Sequence, residues 1–569
     1  MFFNVEINGI KVTAKRDETI LTLLNRNGIR VPTLCHMSGF TPTGACRMCI
    51  VEVEGTSGLV TSCSQPVEEW MKIHTHSPRV LKARKSLVEL LLANHPDDCL
   101  YCDRISACEL HNMADELNIH ERKYRCKKRI VQVDRNCDSI ERDPGKCILC
   151  GRCIRVCDEI IGVSAIEVIG RGSKSAIGTS LNLGLNEKAC VKCGQCILVC
   201  PTNALKEKLT YTNVIDALNK RDLHCVVQFS PTVPVSIAEE YGLKSGKDVP
   251  NLLRTALRRI GFKQVFDLSF GADLNIMETA AEFIQRSSQK HKLPLFTSCC
   301  PSWVRYVEEL KPEFKSALAS VKSPQLIMGA VIKHYFAPRT SIPVKNVFSV
   351  AIMPCTSKKH EAKNEEIMKK MDQNIDAVIT IRELIKIFRL YGIDFSTLES
   401  EQVESYFGMQ SSAGRLYGTS GGTLEGIIRT LYFQMTGLEI PNYKIMELRG
   451  FKNRKETKIK IGKTTYGFAS LSGLANVKIL LDEIKAGRDD LHLIEIMACP
   501  NGCINGGGQR MGSDEKLLRS RMKALYDSDE EEMIRAAHKN PLITELYEQL
   551  LESPFSQTSK RLLHTASSF

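Results

Sequence analysis

The N-terminal residues alternate between apolar and polar side chains, which predicts a β-strand up to Ile7. The pair Asn8 and Gly9 then predicts a hairpin turn, because both residue types adopt the positive φ angles of tight β-turns. A second strand is expected over residues 10–14 and a helix over about 18–26. The chain is therefore predicted to open as a small sheet with a helix.

A different pattern governs the C-terminal part of the chain. From about residue 210, helical periodicity alternates with short, mainly apolar runs at 226–229, 347–353 and 491–497, which read as buried strands. Mainly apolar strands are typical of parallel sheets that are covered on both faces. The second and third runs lead directly into cysteine-containing loops, and open α/β sheets place their functional sites at the carboxyl ends of strands. We expect a large α/β domain with its site at that edge.

Two further segments have helical character. Val88, Leu91 and Leu92 recur at helical spacing within residues 81–94, which predicts a helix with one apolar face. The last roughly fifty residues are charged and helical, with an acidic stretch at 527–532, and we assign no chemistry to them.

The cysteine content indicates metal ligation. Of 569 residues, 23 are cysteines, many of them at regular spacing. Because the chain opens on an alternating strand rather than a signal peptide, we expect a cytoplasmic protein whose thiols bind metals instead of forming disulfides. No apolar run reaches the roughly 20 residues that span a bilayer, so no membrane contact is expected. The length suggests about three to five domains.

The charge balance is basic, with 77 Lys and Arg against 65 Asp and Glu and a net charge of +12. A dense basic run lies at 122–129. A solvated face and a docking site for an acidic electron carrier both account for this run, because electrostatic steering suits fast, transient partners. We expect no nucleic-acid partner.

The first cysteine group has the spacing C-x10-C-x2-C-x13-C. It resembles the [2Fe–2S] β-grasp ferredoxins, in which one loop supplies three thiolates and a later strand supplies the fourth. The long first gap is similar to the N-terminal modules of complex I large subunits and of iron-only hydrogenases. This resemblance implies a [2Fe–2S] cluster, and a structural zinc ion is the alternative. The ligands would be Cys35, Cys46, Cys49 and Cys63.

The second group directly follows the helix predicted at 81–94. One histidine and three cysteines also suit zinc, so ligand chemistry alone leaves both metals open. The same two families carry this group as a [4Fe–4S] cluster, and the resemblance implies that assignment. A neutral imidazole in place of one thiolate would raise the reduction potential of the cluster. The residues are His95, Cys99, Cys102 and Cys108.

Two further groups share the spacing C-x2-C-x2-C-x3-C, and the second ends in Pro201. This is the signature of bacterial ferredoxins with two [4Fe–4S] clusters, in which the fourth cysteine of each run binds the other cluster. One cluster is therefore assigned to Cys147, Cys150, Cys153 and Cys200. The other is assigned to Cys190, Cys193, Cys196 and Cys157. Four clusters in a row indicate an electron relay, whereas Cys126, Cys137 and Cys225 belong to no group and are expected to be structural thiols.

Three loops of the C-terminal half carry five more cysteines. They read T-S-C-C-P-S-W from Thr297, M-P-C-T-S-K-K-H-E from Met353, and M-A-C-P-N-G-C-I-N-G-G-G-Q from Met497. They are similar to the three signature motifs of [FeFe]-hydrogenases. With the four cluster groups, the resemblance covers about residues 1–510, in the order of large monomeric members with four accessory clusters.

The resemblance implies an H-cluster. By position, a [4Fe–4S] cube would be held by Cys300, Cys355, Cys499 and Cys503. Cys503 would also bridge to a diiron subsite that bears CO, cyanide and an azadithiolate. Lys358 would donate to a cyanide, and Cys299, a free thiol, would exchange protons with the azadithiolate amine.

Other residues match family positions near the subsite. They are Met353, Gln325, Ser230, Pro231 and Thr232. Residues 506–508 are glycines, which would allow the backbone to approach the cofactor closely, and an ordinary tight loop is the alternative. A surface lysine at 358, a buried structural cysteine at 299 and a core methionine at 353 are the corresponding alternatives.

Proton delivery is where the sequence departs from the family. The family relay runs from the cysteine through a Glu, a Ser and a second Glu to a surface Arg. Glu282 and Arg286 are present one helical turn apart. However, the first Glu falls on Thr279 and the Ser falls on Ala319.

Two explanations of this departure compete. A shift of one residue in register would restore Glu278 and Ser320, although it would turn a helical side chain by about 100°. Alternatively, the protein belongs to a divergent branch with another proton route, which is the interpretation we favour.

The sequence thus predicts an α+β multidomain protein. It would comprise a β-grasp [2Fe–2S] ferredoxin module (1–80), a small His/Cys3 [4Fe–4S] module (81–125), a bacterial two-[4Fe–4S] ferredoxin module (126–209) and a large α/β active-site domain (210–569). The resemblance implies reversible interconversion of H₂ with protons and electrons.

The resemblance also implies partners. We expect a monomer that exchanges electrons with ferredoxin or flavodoxin and depends on hydrogenase maturation proteins. The alternatives are a hydrogen sensor or a slow, uptake-biased relative on the same fold, an iron–sulfur assembly scaffold, and an NADH-linked complex I-type electron-transfer subunit. The last of these leaves the three cysteine loops without a role.

Overall fold

A computed structural model describes the chain except residues 1, 122, 125, 127–130, 187–188, 245, 247, 290–292, 365–373, 401–405 and 566–569. Most of the basic run at 122–129, with its predicted docking role, therefore lies outside the described residues. The chain forms two compact units. The first comprises Met1–Glu159, Ser164–Glu187 and Val199–Lys206, and the second comprises Ile160–Val163, Lys188–Leu198 and Glu207–Phe569. In the described part, no helix is both long enough and apolar enough to cross a membrane.

The first unit opens with a five-stranded sheet. Its strands lie in the order Ile10–Lys15, Phe2–Ile7, Lys72–His74, Ile50–Val53 and Leu59–Thr61. The first two form the predicted antiparallel hairpin, and Phe2–Ile7 runs parallel to Lys72–His74. The helix Ile20–Arg26 buries its leucines in the same core as Ile7, and it begins after Thr19 because that side chain accepts from the N–H of Thr22.

Short elements make up the rest of this part of the chain. The helix predicted at 81–94 is confirmed as Pro78–Asn94, and it begins earlier because the Ser77 hydroxyl accepts from the N–H of Val80. Val88 is buried on the predicted face. Residues 100–209 also contain the helices Glu109–Glu116, Arg152–Arg155 and Gln195–Val199 and the strands Ile140–Arg142, Glu167–Ile169, Ala176–Gly178 and Leu205–Glu207.

The second unit is built on two four-stranded sheets. One is fully parallel, in the order Gln264–Asp267, His224–Phe229, Val347–Met353 and Ala377–Thr380. The other has the order Leu295–Phe296, Leu493–Met497, Thr464–Ser472 and Arg454–Ile461, with only the last strand antiparallel. The three predicted apolar strands are confirmed. They are mainly apolar because both faces are covered: Val226 packs in one core cluster and its neighbour Val227 in another.

Helices cover both sheets. The long helix Ser269–Ser288 is buried on all sides over its first three turns, because the helices Pro324–Val331, Ser412–Arg415 and Gly422–Thr436 pack around it. Further α-helices of this unit are Tyr211–Leu218, Thr232–Glu240, Asp248–Arg259, Pro301–Leu310, Ser357–Glu361, Ile381–Leu390 and Leu474–Lys485.

The C-terminal segment is helical, as predicted, and belongs to the main core. Its helices are Glu515–Glu530, Pro541–Leu546 and Gln557–Leu563, and Leu546, Leu562 and Leu563 are buried in the same cluster as the helix Ser269–Ser288. Burial alone would raise the pKa of Asp529, but hydrogen bonds from Arg429 and Arg535 hold that pKa well below its usual value. The segment is thus anchored by a buried ion cluster as well as by apolar packing.

Candidate active site

Three loops at the carboxyl ends of strands meet around one cavity of the second unit. Cys299 and Cys300 follow the strand Leu295–Phe296, and Cys355 and Cys499 follow two longer strands. The empty space is about 460 Å³. Its lining includes all five cysteines of the three predicted loops together with Lys358: Cys299, Cys300, Cys355, Cys499 and Cys503. Two separate sheets therefore deliver their thiols to one place.

Of the four predicted cube ligands, Cys355 and Cys499 are buried and Cys300 and Cys503 are half-buried. Burial raises the pKa of Cys355 to about 11 and also raises the pKa of Cys300, Cys499 and Cys503. Neutral thiols become thiolates when they bind a metal, so this donor set suits a ligand that brings its own positive charge. The Ser302 hydroxyl lines the same space and has no hydrogen-bond partner among the described residues. The donors thus fit an iron–sulfur cluster.

Cys299 lies beside these ligands, and its thiol is held protonated. Burial, followed by the nearby carboxylate of Glu495, raises the pKa of Cys299 to about 12. The side chain of Thr297 hydrogen-bonds to the thiol and partly offsets this rise. Lys358 is buried, with 3% of its surface exposed, and its Nζ donates to the carbonyl of Cys299 at 3.2 Å.

A carboxylate partner of Lys358 was missed by sequence reasoning. Nζ of Lys358 is 2.9 Å from Oε2 of Glu361, three residues along the same helix. The spacing within S-K-K-H-E held the only signal for this pair. Glu361 also accepts from the Ser323 hydroxyl at 2.8 Å and from Nε2 of Gln325 at 3.2 Å. The lysine charge is therefore compensated and fixed in position.

The other residues predicted near the subsite do not belong to this lining. Gln325 is fully buried and donates to the carbonyl of Lys358 at 3.3 Å, and its Oε1 has no partner among the described residues. Met353 ends its strand with 1% exposure. Ser230 is joined to that strand by its N–H, and its hydroxyl lies 3.2 Å from that of Thr232, which follows Pro231.

The glycines at 506–508 approach polypeptide closely. A Cβ on Gly506 would lie 2.1 Å from the carbonyl oxygen of Pro354, and one on Gly508 would lie 2.9 Å from the carbonyl carbon of the same residue. Gly506 does line the cavity. Close packing on the backbone before Cys355 is therefore one reason for glycine at 506 and 508, and their approach to a cofactor stays a prediction.

The cysteine group at 190–196 packs directly against two of the ligand loops. The Thr356 hydroxyl donates to the carbonyl of Lys192 at 2.9 Å. A Cβ on Gly507 would lie 2.1 Å from the carbonyl oxygen of Cys193, so only glycine fits there. Each of these contacts is one residue away from, or part of, a predicted cluster ligand.

Gln195 makes a third contact between the same segments. Its Nε2 donates to the carbonyl of Asn505 at 2.7 Å. Its side chain also hydrogen-bonds to the thiol of Cys499 and lowers the pKa that burial raises. Gln195 therefore joins the group at 190–196 to the loop that carries two predicted cube ligands.

The first unit brings together the cysteines of two of the predicted accessory groups. The thiol of Cys35 hydrogen-bonds to those of Cys46 and Cys63, and Cys63 in turn to that of Cys49. A second space of about 480 Å³ is lined by Cys147, Cys150, Cys153 and Cys200. This grouping contains the distant Cys200, as the crossed ferredoxin assignment requires.

The remaining predicted ligands do not line either of the two spaces described above. His95 and Cys108 are buried, Cys102 accepts from Nδ2 of Asn203 at 3.6 Å, and Cys99 is exposed. Cys157 belongs to the first unit, whereas Cys190, Cys193 and Cys196 belong to the second.

The predicted proton residues form one buried group. Arg286 donates to Oε1 of Glu282 at 2.6 Å, and Glu282 also accepts from the N–H and the hydroxyl of Ser320. Thr279 and Ala319 are buried, with exposures of 2% and 5%. Ser320, and not Ala319, therefore provides the hydroxyl that meets Glu282.

Two further residues line this cavity, of which Tyr417 gave no usable sequence signal and Met497 begins the third cysteine motif. Tyr417 lines the space and its hydroxyl donates to the carbonyl of Cys299 at 3.5 Å. Burial raises the pKa of Tyr417 well above its usual value, so it is a permanent donor. Met497 also lines the space and lies two residues before Cys499. An isolated tyrosine in a loop has no periodicity or spacing that would reveal it.

Cysteines at the ends of parallel strands, preceded by several ferredoxin-type cysteine groups, define an iron–sulfur oxidoreductase. A family described as iron only hydrogenase large subunit, C-terminal domain, matches residues 223–507. The chain belongs to the iron-only, or [FeFe], hydrogenase family, and the predicted family, fold class and enzyme class are confirmed.

Full-length relatives support the same conclusion. The NADP-reducing hydrogenase subunit HndD of Solidesulfovibrio fructosivorans is 37% identical over 99% of this chain and 98% of its own length. Iron hydrogenase 1 of Clostridium pasteurianum is 36% identical over 98% of both chains. A solved apo variant of the [FeFe]-hydrogenase HydA1 from Chlamydomonas reinhardtii superposes with a TM-score of 0.57 at 36% identity, covering 63% of this chain and 98% of that one.

Further families match outside the catalytic region. A 2Fe-2S iron–sulfur cluster binding domain matches residues 3–78, the NADH-ubiquinone oxidoreductase-G iron–sulfur binding region matches 84–123, and a 4Fe-4S dicluster domain matches 146–204. An iron hydrogenase small subunit family matches residues 515–566, the segment to which sequence reasoning assigned no chemistry. The chain therefore combines iron–sulfur cluster domains with a hydrogenase domain.

Proposed function

We propose that this hydrogenase interconverts H₂ with protons and electrons at an H-cluster held in the 460 Å³ cavity. Cys300, Cys355, Cys499 and Cys503 would bind the [4Fe–4S] cube, and Cys503 would bridge to the diiron subsite. When bound, the diiron unit supplies the place where H₂ is split or formed. The observation that carries this proposal is the convergence of four buried or half-buried cysteines from three strand ends on one space.

The surrounding side chains have distinct tasks. Lys358 is a buried donor whose charge Glu361 compensates, so it can bind an anionic ligand such as cyanide without competition from water. Gln325 keeps that lysine in position through its carbonyl. Cys299, with a thiol that is neutral at pH 7, can give up and recover a proton at Sγ. Met353 and the Ser230, Pro231 and Thr232 segment pack behind the site and exclude water.

Electrons would reach the cavity through accessory clusters in the proposed modules 1–80, 81–125 and 126–209. We assign one [2Fe–2S] cluster to Cys35, Cys46, Cys49 and Cys63. Three [4Fe–4S] clusters are assigned to His95, Cys99, Cys102 and Cys108, to Cys147, Cys150, Cys153 and Cys200, and to Cys190, Cys193, Cys196 and Cys157. The direct packing of residues 190–196 on the loops after Cys355 and Cys503 supports a final transfer from the last of these clusters.

The proposed partners follow from this relay. The protein would exchange electrons with ferredoxin or flavodoxin as a cytoplasmic monomer, and maturation proteins would load the subsite. A full-length relative is named a subunit of an NADP-reducing hydrogenase, so NADPH in a larger complex is the competing electron source. Steady-state H₂ evolution with reduced ferredoxin, reduced flavodoxin or NADPH distinguishes them. Turnover with NADPH alone would contradict a ferredoxin partner.

Infrared spectroscopy tests the site itself. The full-length protein, produced together with maturation proteins, is measured under H₂ and under CO. Stretching bands of bound CO and cyanide are expected. The same chain produced without maturation proteins is the control, and it should keep its [4Fe–4S] signals in electron paramagnetic resonance but lack those bands. A matured protein without CO and cyanide bands would contradict the proposal.

A further inference from the structure

A continuous buried chain of polar side chains extends from the proton residues into the C-terminal segment. The Ser320 hydroxyl, which donates to Oε2 of Glu282 at 2.9 Å, lies 2.6 Å from Nδ1 of His564. Nε2 of His564 lies 2.9 Å from Oε2 of Glu278. The side chains of His564 and Glu278 are fully buried. Starting at Arg286, five side chains are thus joined without a gap.

This series of hydrogen-bonded side chains contains Glu278 and Ser320, the sequence neighbours of the two positions that interrupt the family relay. Glu278 and Thr279 are neighbours on one helix, as Ala319 and Ser320 are on one extended segment. Adjacent side chains point in different directions in both kinds of backbone, so Glu278 and Ser320 face the C-terminal segment. His564, more than 240 residues further along the chain, is the group that connects them. A shift in register is therefore not needed to bring Glu278 and Ser320 together.

The charged side chains of this hydrogen-bonded series can accept one additional proton. Glu282 is paired with Arg286. Glu278 is bound by the Tyr547 hydroxyl at 2.7 Å, by the N–H of Phe555 at 2.9 Å and by His564. Of these three donors, only His564 can carry a positive charge. Because an uncompensated buried carboxylate is costly, an added proton is stabilised when His564 and Glu278 share it.

The groups that face His564 come from four parts of the chain. They are Glu278 on the long helix, Ser320 with Glu282 behind it, the edge of the Phe555 ring at 5.1 Å, and Tyr547 on the far side of Glu278. Within its own helix, the N–H of His564 donates to the carbonyl of Lys560. Burial, followed by Glu278, raises the pKa of Tyr547 well above its usual value, so this hydroxyl stays a donor.

The hydrogen-bonded series also lies beside the loop of Cys299. Val321 pairs with His564 as an isolated β-bridge. The carbonyl of Val321 accepts from the hydroxyl of Ser298 at 2.5 Å, and Cys299 is the next residue. A proton held on His564 therefore sits one backbone pairing away from the loop that carries the free thiol.

We propose that Glu282, Ser320, His564 and Glu278 form a proton store for the Cys299 site, in which His564 carries the exchanged proton. This rests on the proposed hydrogenase function. A proton arriving on Glu282 passes to the oxygen of Ser320 while the hydroxyl proton of Ser320 passes to Nδ1 of His564. The imidazolium then holds the proton, and its Nε2–H donates to the carboxylate of Glu278. One proton enters the store and is held there, and no electron moves. The store can therefore take up and release a proton by the same steps.

The first test uses full-length protein without the diiron subsite, so it does not depend on hydrogenase activity. Nitrogen-15 NMR of labelled histidines reports which ring nitrogens of His564 carry a proton, with the His564→Gln variant providing the assignment. A proton on Nε2 is expected in the wild-type protein, because Nε2 lies 2.9 Å from the carboxylate of Glu278, and Glu278→Gln is expected to shift the Nε2 signal, because an amide replaces that carboxylate. Ring nitrogen signals that are the same in the wild-type and Glu278→Gln proteins would overturn the store.

The second test uses the matured enzyme. His564→Gln is expected to lower the rate of H₂–D₂O isotope exchange at least about tenfold, because the Gln amide can form hydrogen bonds but cannot take up and pass on a proton. The CO and cyanide bands should remain unchanged. The matched control is His538→Gln, another C-terminal histidine with a buried side chain, bound to Thr430 and Glu439. It should leave the rate unchanged.

Two outcomes of the second test are decisive. Equal rates for the His564→Gln and His538→Gln variants would overturn the proposal while leaving the hydrogenase function intact. Ser320→Ala tests the same chain without touching the histidine, and a loss similar to that of His564→Gln is expected. Unchanged exchange in Ser320→Ala would show that the hydroxyl carries no proton and would contradict the store.

Discussion

The cavity is flanked by two regions that are built from different parts of the polypeptide. The electron side comprises residues 190–196 and their contacts with Thr356, Asn505 and Gly507, where each contact has a backbone carbonyl as acceptor or neighbour. The proton side comprises Arg286, Glu282, Ser320, His564 and Glu278, where side chains make the connection. Electrons need close, rigid packing, whereas protons need groups that can be donors and acceptors in turn.

This difference explains why one side is readable in the sequence and the other is not. Cysteine spacing and glycines mark the electron side, because cluster ligation and close backbone approach demand particular residue types. On the proton side, any titratable side chain that reaches the gap will serve. A search for a Glu at 279 and a Ser at 319 therefore finds Thr279 and Ala319 and misses His564.

The largest effect is expected where the two sides meet. Cys499→Ala removes one predicted cube ligand and should abolish H₂ evolution and lower the iron content, because the remaining thiols cannot hold the cluster in place. Cys225→Ala is the matched control, since Cys225 is equally buried in a strand of the same unit and belongs to no cysteine group. Iron analysis and H₂ evolution are measured together. Full iron content and activity in Cys499→Ala would remove this residue from the ligand set.

The second-largest effect is expected from loss of the free thiol of Cys299, which is compared with loss of Glu282 on the proton side. Cys299→Ala should slow turnover about 10²–10⁴-fold, the usual contribution of a group that transfers the reacting proton. Glu282→Gln should slow it less, about tenfold, since other groups of the proton side remain. Turnover is measured in both directions with a viologen dye. An equally deep loss in both variants would indicate a single linear relay with no store.

A smaller effect is expected on the electron side. Gly507→Ala places a Cβ 2.1 Å from the carbonyl oxygen of Cys193, so the two loops must separate. Displacements of about 1 Å at a reacting pair cost up to about 100-fold, and we expect about a tenfold loss of dye-linked H₂ oxidation. Gly246→Ala, where the added carbon meets nothing within 4 Å, is the control. If Gly507→Ala behaves like the control, electrons do not cross at this contact.

The smallest effect is expected at Tyr417, which belongs to neither the electron side nor the proton side. Tyr417→Phe keeps the ring and removes a hydroxyl whose bond to the Cys299 carbonyl is long, at 3.5 Å. We expect turnover to change less than about threefold, with a small shift of the CO bands because one donor in the cavity is lost. Infrared spectra and H₂ evolution check this. A loss comparable to that of Cys299→Ala would place Tyr417 on the proton side.

Much of the fold could be predicted from local patterns. The mainly apolar runs 226–229 and 347–353 are strands because parallel sheets that are covered on both faces favour apolar residues at most positions, and the hairpin at Asn8 follows from its turn chemistry. The partners of Lys358 and Ser320 were harder to foresee. Glu361 lies one helical turn away and left a faint signal, whereas His564 is brought in by tertiary packing of a segment that looked merely charged and helical.

One measurement tests the central claim that electrons and protons reach the cavity by separate structures. H₂–D₂O isotope exchange requires proton transfer but no net electron flow, whereas dye-linked H₂ oxidation requires both. Both rates are measured on the same samples of the wild-type, Gly507→Ala and Glu282→Gln proteins. The account predicts that Gly507→Ala lowers dye reduction and leaves isotope exchange intact, while Glu282→Gln lowers both. A proportional loss of both rates in Gly507→Ala would contradict it.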